Sequence, residues 1–331
     1  MTTPGPSGLK FLGAGWFAVV MGLGGLALAW VRAAALLGEL AGAVAAVLAG
    51  LAALVLVLLV AAYLWRWQRY PLAVADDFSH PVRHPFVGAI SLSVLLVATL
   101  AATFLGPEPW VRALWMLGAA SQFGVTVWLL GRWIQPGLGL GWPGVTPLLL
   151  IPLVGNVLTP LAGLALGLPE WTAAQFGLGL LLWPVVLVLL AVRLAVAGMW
   201  PQRMLPTSFI TIVAPALIGL AALQWGVPVA WGWMAWGIGL FFLLWSAQSA
   251  RQAFDQPFAL PFWSVSFPLA AFTSLTLRLA QTSGALMQGL GLILLALTTL
   301  VIASLVLATL KGLRSGSLLA PETVAIVSAP T

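Results

Sequence analysis

"LPFWSVSFPLAAFTSLTLRL", residues 260–279, is long and apolar enough to cross a bilayer, yet it holds Pro261 and Pro268, several Ser and Thr side chains, and Phe267 beside the second proline. Proline removes a backbone donor and bends a helix, and hydroxyl groups are poorly accommodated among lipid tails. A segment that only anchored the chain would gain nothing from these residues. The stretch reads as a membrane span that faces protein or water, and the remaining sequence shows what surrounds it.

The chain of 331 residues is 62% hydrophobic and 6% charged, with a mean hydropathy of +1.10. That leaves too little polar surface to cover a water-soluble globule, so the chain is an integral membrane protein. Eighteen tryptophans supply interfacial anchors for many spans. The absence of cysteine excludes a disulfide framework, a thiolate nucleophile and a thiolate metal site. His80 and His84 are the only histidines, and no GxSxG, HExxH or paired intramembrane Asp is present. Neither an enzyme nor a metal or other cofactor is expected.

At about 20 apolar residues per span, ten candidates lie near 11–31, 41–65, 85–105, 112–131, 145–167, 172–194, 206–224, 228–250, 259–281 and 285–310. Continuous apolar runs exclude alternating barrel strands, so these are helices. Short connections pair them into five helical hairpins. The expected organisation is a single transmembrane domain over 1–331, with short cytoplasmic tails at 1–10 and 312–331. No signal peptide is expected, because one lysine precedes a span too long for a signal core. Ten of the 13 Lys and Arg residues fall on the side of both termini, and Arg32, Arg112 and Arg278 fall at or near the other. The positive-inside rule makes the side of the termini cytoplasmic. It also accounts for the net charge of +6 without a nucleic-acid partner.

Proline separates the spans into two kinds. The fifth has Pro147, Pro152 and Pro160, the seventh Pro206 and Pro215, the ninth Pro261 and Pro268, and the third begins at Pro85. Among even spans only the sixth, with Pro184, carries one well inside. The first uses Gly13, Gly15, Gly22, Gly24 and Gly25 instead. The odd spans also hold most mid-span polar groups. Bent odd helices are thus expected around a central pore, with straighter even helices as a lipid-facing ring. "LPTSFITIVAPALIGLA" and "LPFWSVSFPLAAFTSL" echo one another, although their proline spacings are nine and seven.

"DDFSHPVRHPFVGAI", "PTSFITIVAPALIGLAAL" and "FWSVSFPLAAFTSLTLRLA" resemble the tellurite-resistance/dicarboxylate transporter family, which includes bacterial TehA proteins, fungal malate and sulfite permeases and the slow-type anion channels of plant guard cells. The most specific element is His80-Pro81-Val82-Arg83 at the cytoplasmic end of the third span. The resemblance implies ten helices in five hairpins, a homotrimer in a bacterial inner membrane, cytoplasmic termini, and passage of small anions. It also implies an aromatic gate on the ninth helix. The Ser-Phe-Pro-Leu run puts that role on Phe267, with Phe262 as the weaker alternative. Pro152, Pro215, Pro261, Pro268, Ser264, Ser266 and Thr273 become candidate pore-lining residues.

No Asp or Glu falls mid-span, so the embedded carboxylates of proton-coupled pumps are missing. A channel or uniporter for chloride or nitrate is the expected function. A secondary carrier or exporter for tellurite, sulfite or C4-dicarboxylates is the alternative. Arg278 is one candidate positive charge, and Arg83 is expected to pair with Asp76 or Asp77 or to meet lipid phosphate. The partners expected are small anions and membrane lipids. "GLGLGW", residues 137–142, reads as a glycine-rich turn rather than a nucleotide loop.

Overall fold

The computed structural model describes residues 8–135 and 140–320, and every regular element among them is helical. Among the described residues, nine helices are long and apolar enough to cross a membrane: Ala14–Leu37, Glu39–Arg69, His84–Leu105, Pro109–Trp133, Pro169–Ala197, Gln202–Gln224, Val229–Ala247, Leu260–Ala280 and Ala285–Arg314. A shorter apolar stretch, Pro147–Gly163, lies where the fifth span was expected and is broken into short helical pieces. The ordinals below count this stretch as the fifth. The long link before the third span contains a nine-residue helix, Pro71–Ser79. The tenth helix runs to Arg314 rather than stopping near 310. Of the expected tails, residues 1–7 and 321–331 lie outside the described residues. So do residues 137–139 of the glycine-rich stretch, whose continuation Gly141–Gly144 is a single helical turn.

The two kinds of span separate sharply by burial. Buried residues make up 83%, 67%, 83% and 89% of the apolar windows of the first, third, seventh and ninth spans, against 17–33% for the even spans. Their winding differs as well. Each odd span opens with a 3-10 segment: Ala14–Phe17, His84–Phe86, Pro147–Leu149, Gln202–Ile212 and Leu260–Val265. The even spans are α-helical throughout.

Proline marks the change of winding. Pro152, Pro215 and Pro268 are each the third residue of an α segment, in Leu150–Val154, Val213–Gln224 and Ser266–Ala280. Each ring removes one backbone rung where tight 3-10 turns give way to α turns, so the discontinuity falls where a bond is already missing. The unequal spacings of the two echoing stretches are absorbed by 3-10 segments of 11 and 6 residues.

Because lipid is as apolar as leucine, these helices are held together by close approach and internal hydrogen bonds. At Gly88 of the third span, an added Cβ would lie 2.8 Å from the Pro152 backbone. The fragmented fifth span is tied by amides from its even neighbours. Gln122 Nε2 donates to the Ile151 and Pro152 carbonyls at 3.2 and 2.9 Å, and Ser91 donates to Gln122 Oε1 at 2.7 Å. Thr126 also donates to the Pro152 carbonyl, Asn156 donates to Thr126 at 2.8 Å, and Gln175 of the sixth span donates to Asn156 Oδ1 at 2.8 Å. These carbonyls lie in the last turn of a five-residue helix, where intrahelical donors run out. The even spans are therefore not uniformly smooth, since the fourth and sixth each turn buried polar side chains inward.

Both ends of the described chain lie together, with Gly8 against Leu319. The odd spans begin at this terminal end and run towards the opposite end.

Candidate functional site

Two narrow cavities lie among the odd spans. The one nearer the terminal end is bounded by Met21, Leu92, Ile151, Val154, Ile210 and Ala214, among other apolar groups. The other is bounded by Gly25, Leu28, Arg32, Leu161, Leu220, Ala271 and Ser274. Phe267 and Leu217 line both. All five odd spans contribute to these walls, and no even span does. Each cavity has room for about one water molecule.

The Phe267 ring, 3% exposed, stands where the cavities meet. Gly25 gives it room: an added Cβ there would lie 2.7 Å from Phe267 Cδ2 and 3.1 Å from Ala270 Cβ. The residue directly before each of the three junction prolines reaches a cavity wall, as Ile151, Ala214 and Phe267. Pro152, Pro215 and Pro268 are not among the lining residues.

The other expected residues have partners elsewhere. Ser266 donates to the Trp263 carbonyl at 2.6 Å, and Thr273 shares a 2.9 Å hydrogen bond with Thr298 of the tenth span. Ser264 and Phe262 are buried within the opening 3-10 segment, whose second residue is Pro261, and the Phe262 and Phe258 ring centroids lie 5.7 Å apart. None of these lines either cavity. Ser266 satisfies a local carbonyl, as do Thr207, Ser208 and Thr211 of the seventh span. The signal that marked them as polar was sound, but the backbone of a 3-10 segment claims a hydroxyl before an ion can.

The His80-Pro81-Val82-Arg83 element builds a clasp at the terminal end. Asp77, 4% exposed, receives Arg66 Nη1 at 2.7 Å and Arg83 Nη1 at 3.0 Å. Arg83 also reaches Asp76 at 3.4 Å. Arg66 donates further to the Lys10 and Ala73 carbonyls. The backbone N–H groups of Val82 and Arg83 donate to His80 Nδ1 at 3.1 and 3.2 Å, folding the turn. The expected pairing of Arg83 with Asp76 and Asp77 is present. Arg66, buried in the clasp with Asp77, reads in the sequence only as a charge at a span end. Arg32 was likewise counted only for orientation, although its side chain reaches a cavity. Arg278 donates to Gln281 at 2.7 Å.

An inner set of buried spans that open with 3-10 turns, jacketed by largely exposed α-helical spans, defines a multi-pass helical membrane protein. The chain belongs to the SLAC1 family, described as voltage-dependent anion channel, whose model matches residues 12–310. It is 27% identical over 282 residues to the S-type anion channel SLAH2 of Arabidopsis thaliana, covering 83% of this chain and 54% of that protein. This chain thus spans about half the length of the plant relative. It is 24% identical over 313 residues to the tellurite resistance protein TehA homolog of Haemophilus influenzae, covering 91% of each. A third relative, the uncharacterized transporter MJ0762 of Methanocaldococcus jannaschii, is 22% identical over 306 residues, covering 81% of this chain and 84% of that one.

Proposed function

We propose that the chain is a channel for small monovalent anions such as chloride and nitrate, closed by Phe267 on an axis enclosed by the odd spans. The observation that carries this reading is the ring of Phe267 between two cavities walled by all five odd spans. Around the ring the walls are aliphatic, so a passing ion exchanges water for few donors. Anions that shed water cheaply pass most readily, and the lack of a deep binding site lets them leave. An aromatic ring has a positive edge and a negative face, so its rotation changes both the width and the local potential. The relatives named as anion channels support the sign of the transported ion.

The same proposal places the protein in a bacterial inner membrane as one transmembrane unit, with cytoplasmic termini and assembled as a trimer. Transport, with no catalytic chemistry or cofactor, is the function proposed. The test is current across membranes holding wild type or Phe267→Ala in chloride, nitrate and malate. Small wild-type current and large, anion-selective mutant current support the reading. Silence in both, with saturable or proton-coupled uptake into liposomes, overturns it in favour of a carrier for tellurite, sulfite or a C4-dicarboxylate.

A further inference from the structure

We propose that Arg32 is an anion-docking residue at the mouth opposite the termini, and that its preferred ligands are small planar oxyanions, nitrate or carboxylate, over spherical halides. This inference rests on the anion-pathway reading and adds to it a specific recognition residue.

Arg32 belongs to the first span and lines the same cavity as Phe267 and Ser274. Among the described residues its guanidinium has no hydrogen bond or ion pair. Asp76 and Asp77 pair with Arg66 and Arg83 at the terminal end, away from Arg32. Glu39 begins the second span at the same end as Arg32, yet it does not pair with it. Arg66 and Arg32 are therefore opposites: the first is held by a carboxylate and two carbonyls, the second borders a cavity and its guanidinium has no protein acceptor.

A charge set into a membrane protein and left uncompensated is costly. Arg32 is half-buried and its nitrogens are not among the buried unpartnered atoms, so water or an anion at the mouth is what remains to offset it. Arg278, one turn beyond Ser274 on the ninth span, adds a second positive charge at this end, and a low-dielectric mouth lined by one sign of charge raises the local anion concentration. The guanidinium offers paired N–H donors in a fixed plane, which match two oxygens of a planar anion. A halide has no such pair of acceptors. Arg32 thus supplies both a general attraction and a geometric preference, one cavity away from the Phe267 ring.

The test uses patches containing Phe267→Ala, with Arg32→Gln or Arg32→Lys added, and anions driven from either side. At low ionic strength, Arg32→Gln is expected to reduce current carried by anions entering at the Arg32 end by roughly threefold, with less effect in the other direction. The difference shrinks at about 1 M salt, where the Debye length is only about 3 Å. Arg32→Lys keeps the directional asymmetry but loses the preference for nitrate over chloride. Unchanged currents and an unchanged nitrate preference in both variants would overturn the proposal while leaving the channel reading intact. If Phe267→Ala itself carries no current, the channel reading falls, and docking is read separately from thermal stabilisation of purified wild type by nitrate. A nitrate-dependent rise in Tm that Arg32→Gln abolishes supports Arg32 as the site; an equal rise in both proteins, or none in either, overturns it.

Discussion

Pro184 and Pro268 each lie inside an apolar span, yet they do different things. Pro184 is exposed on the sixth span, and that helix remains α-helical from Pro169 to Ala197 around it. Pro268 is buried on the ninth span, at the point where Leu260–Val265 stops winding as a 3-10 helix and Ser266–Ala280 begins as an α-helix. The residue before Pro184 is Trp183, against the surrounding core; the residue before Pro268 is Phe267, between two cavities. A proline shapes the axis only when it coincides with a change of winding. Inner and outer helices differ in that change, more than in proline content.

Several substitutions can break or sharpen the contrast. The largest expected effect is that of Phe267→Ala on conductance: an increase of about tenfold or more, which requires only about 1.4 kcal/mol off the barrier. An outer aromatic change, Trp171→Ala, at a side chain 41% exposed, should leave conductance unchanged. Comparable anion currents in the two variants would erase the distinction between inner and outer rings.

Next in size is Asp77→Ala, which strands Arg66 at 2% exposure and Arg83 beside it. Removing one partner of such a cluster costs about 3–5 kcal/mol, read as a fall in the melting temperature of the purified protein. Retained stability would mean that the terminal-end clasp does not tie the second and third spans together. Gln122→Leu comes third. It keeps the approximate volume but leaves the Ile151 and Pro152 carbonyls and the Ser91 hydroxyl without their amide, at an expected loss of about 1–3 kcal/mol. A neutral result would show that the fifth span does not depend on the fourth. The smallest effect belongs to Pro184→Ala: unchanged flux and a stability shift within about 1 kcal/mol. Loss of flux would place the sixth span in the pathway.

The alternation of inner and outer helices was legible because proline, glycine and hydroxyl residues concentrate on every second apolar run. Phe267 was reached through the Ser-Phe-Pro-Leu resemblance, and its place beside both cavities depends on Gly25, whose significance lies in a partner 242 positions away. The lining role of individual prolines and hydroxyls was not legible. Helix phase decides which neighbour of a proline faces the axis, and 3-10 carbonyls capture hydroxyls such as Ser266 and Thr211. Gln122 and Gln175 offered a signal that was passed over: each is an amide within an apolar span, where an unpaired amide is expensive. Arg32 and Arg66 look alike in a count of basic residues, and only their surroundings differ: Arg66 is paired with Asp77, whereas Arg32 borders a cavity.

The central claim is that Phe267 alone separates two halves of one continuous path. Because the chain contains no cysteine, single cysteines can test it without background. Ala214→Cys marks the cavity nearer the termini and Ser274→Cys the opposite one. The most direct measurement is their labelling by a small, membrane-impermeant, negatively charged thiol reagent added from one side at a time, with Phe267 present or replaced by Ala. The account predicts that with Phe267 each cysteine reacts only from its own side, and that with Phe267→Ala each reacts from both. Labelling that stays one-sided after Phe267→Ala, or is already two-sided with Phe267 in place, would contradict it.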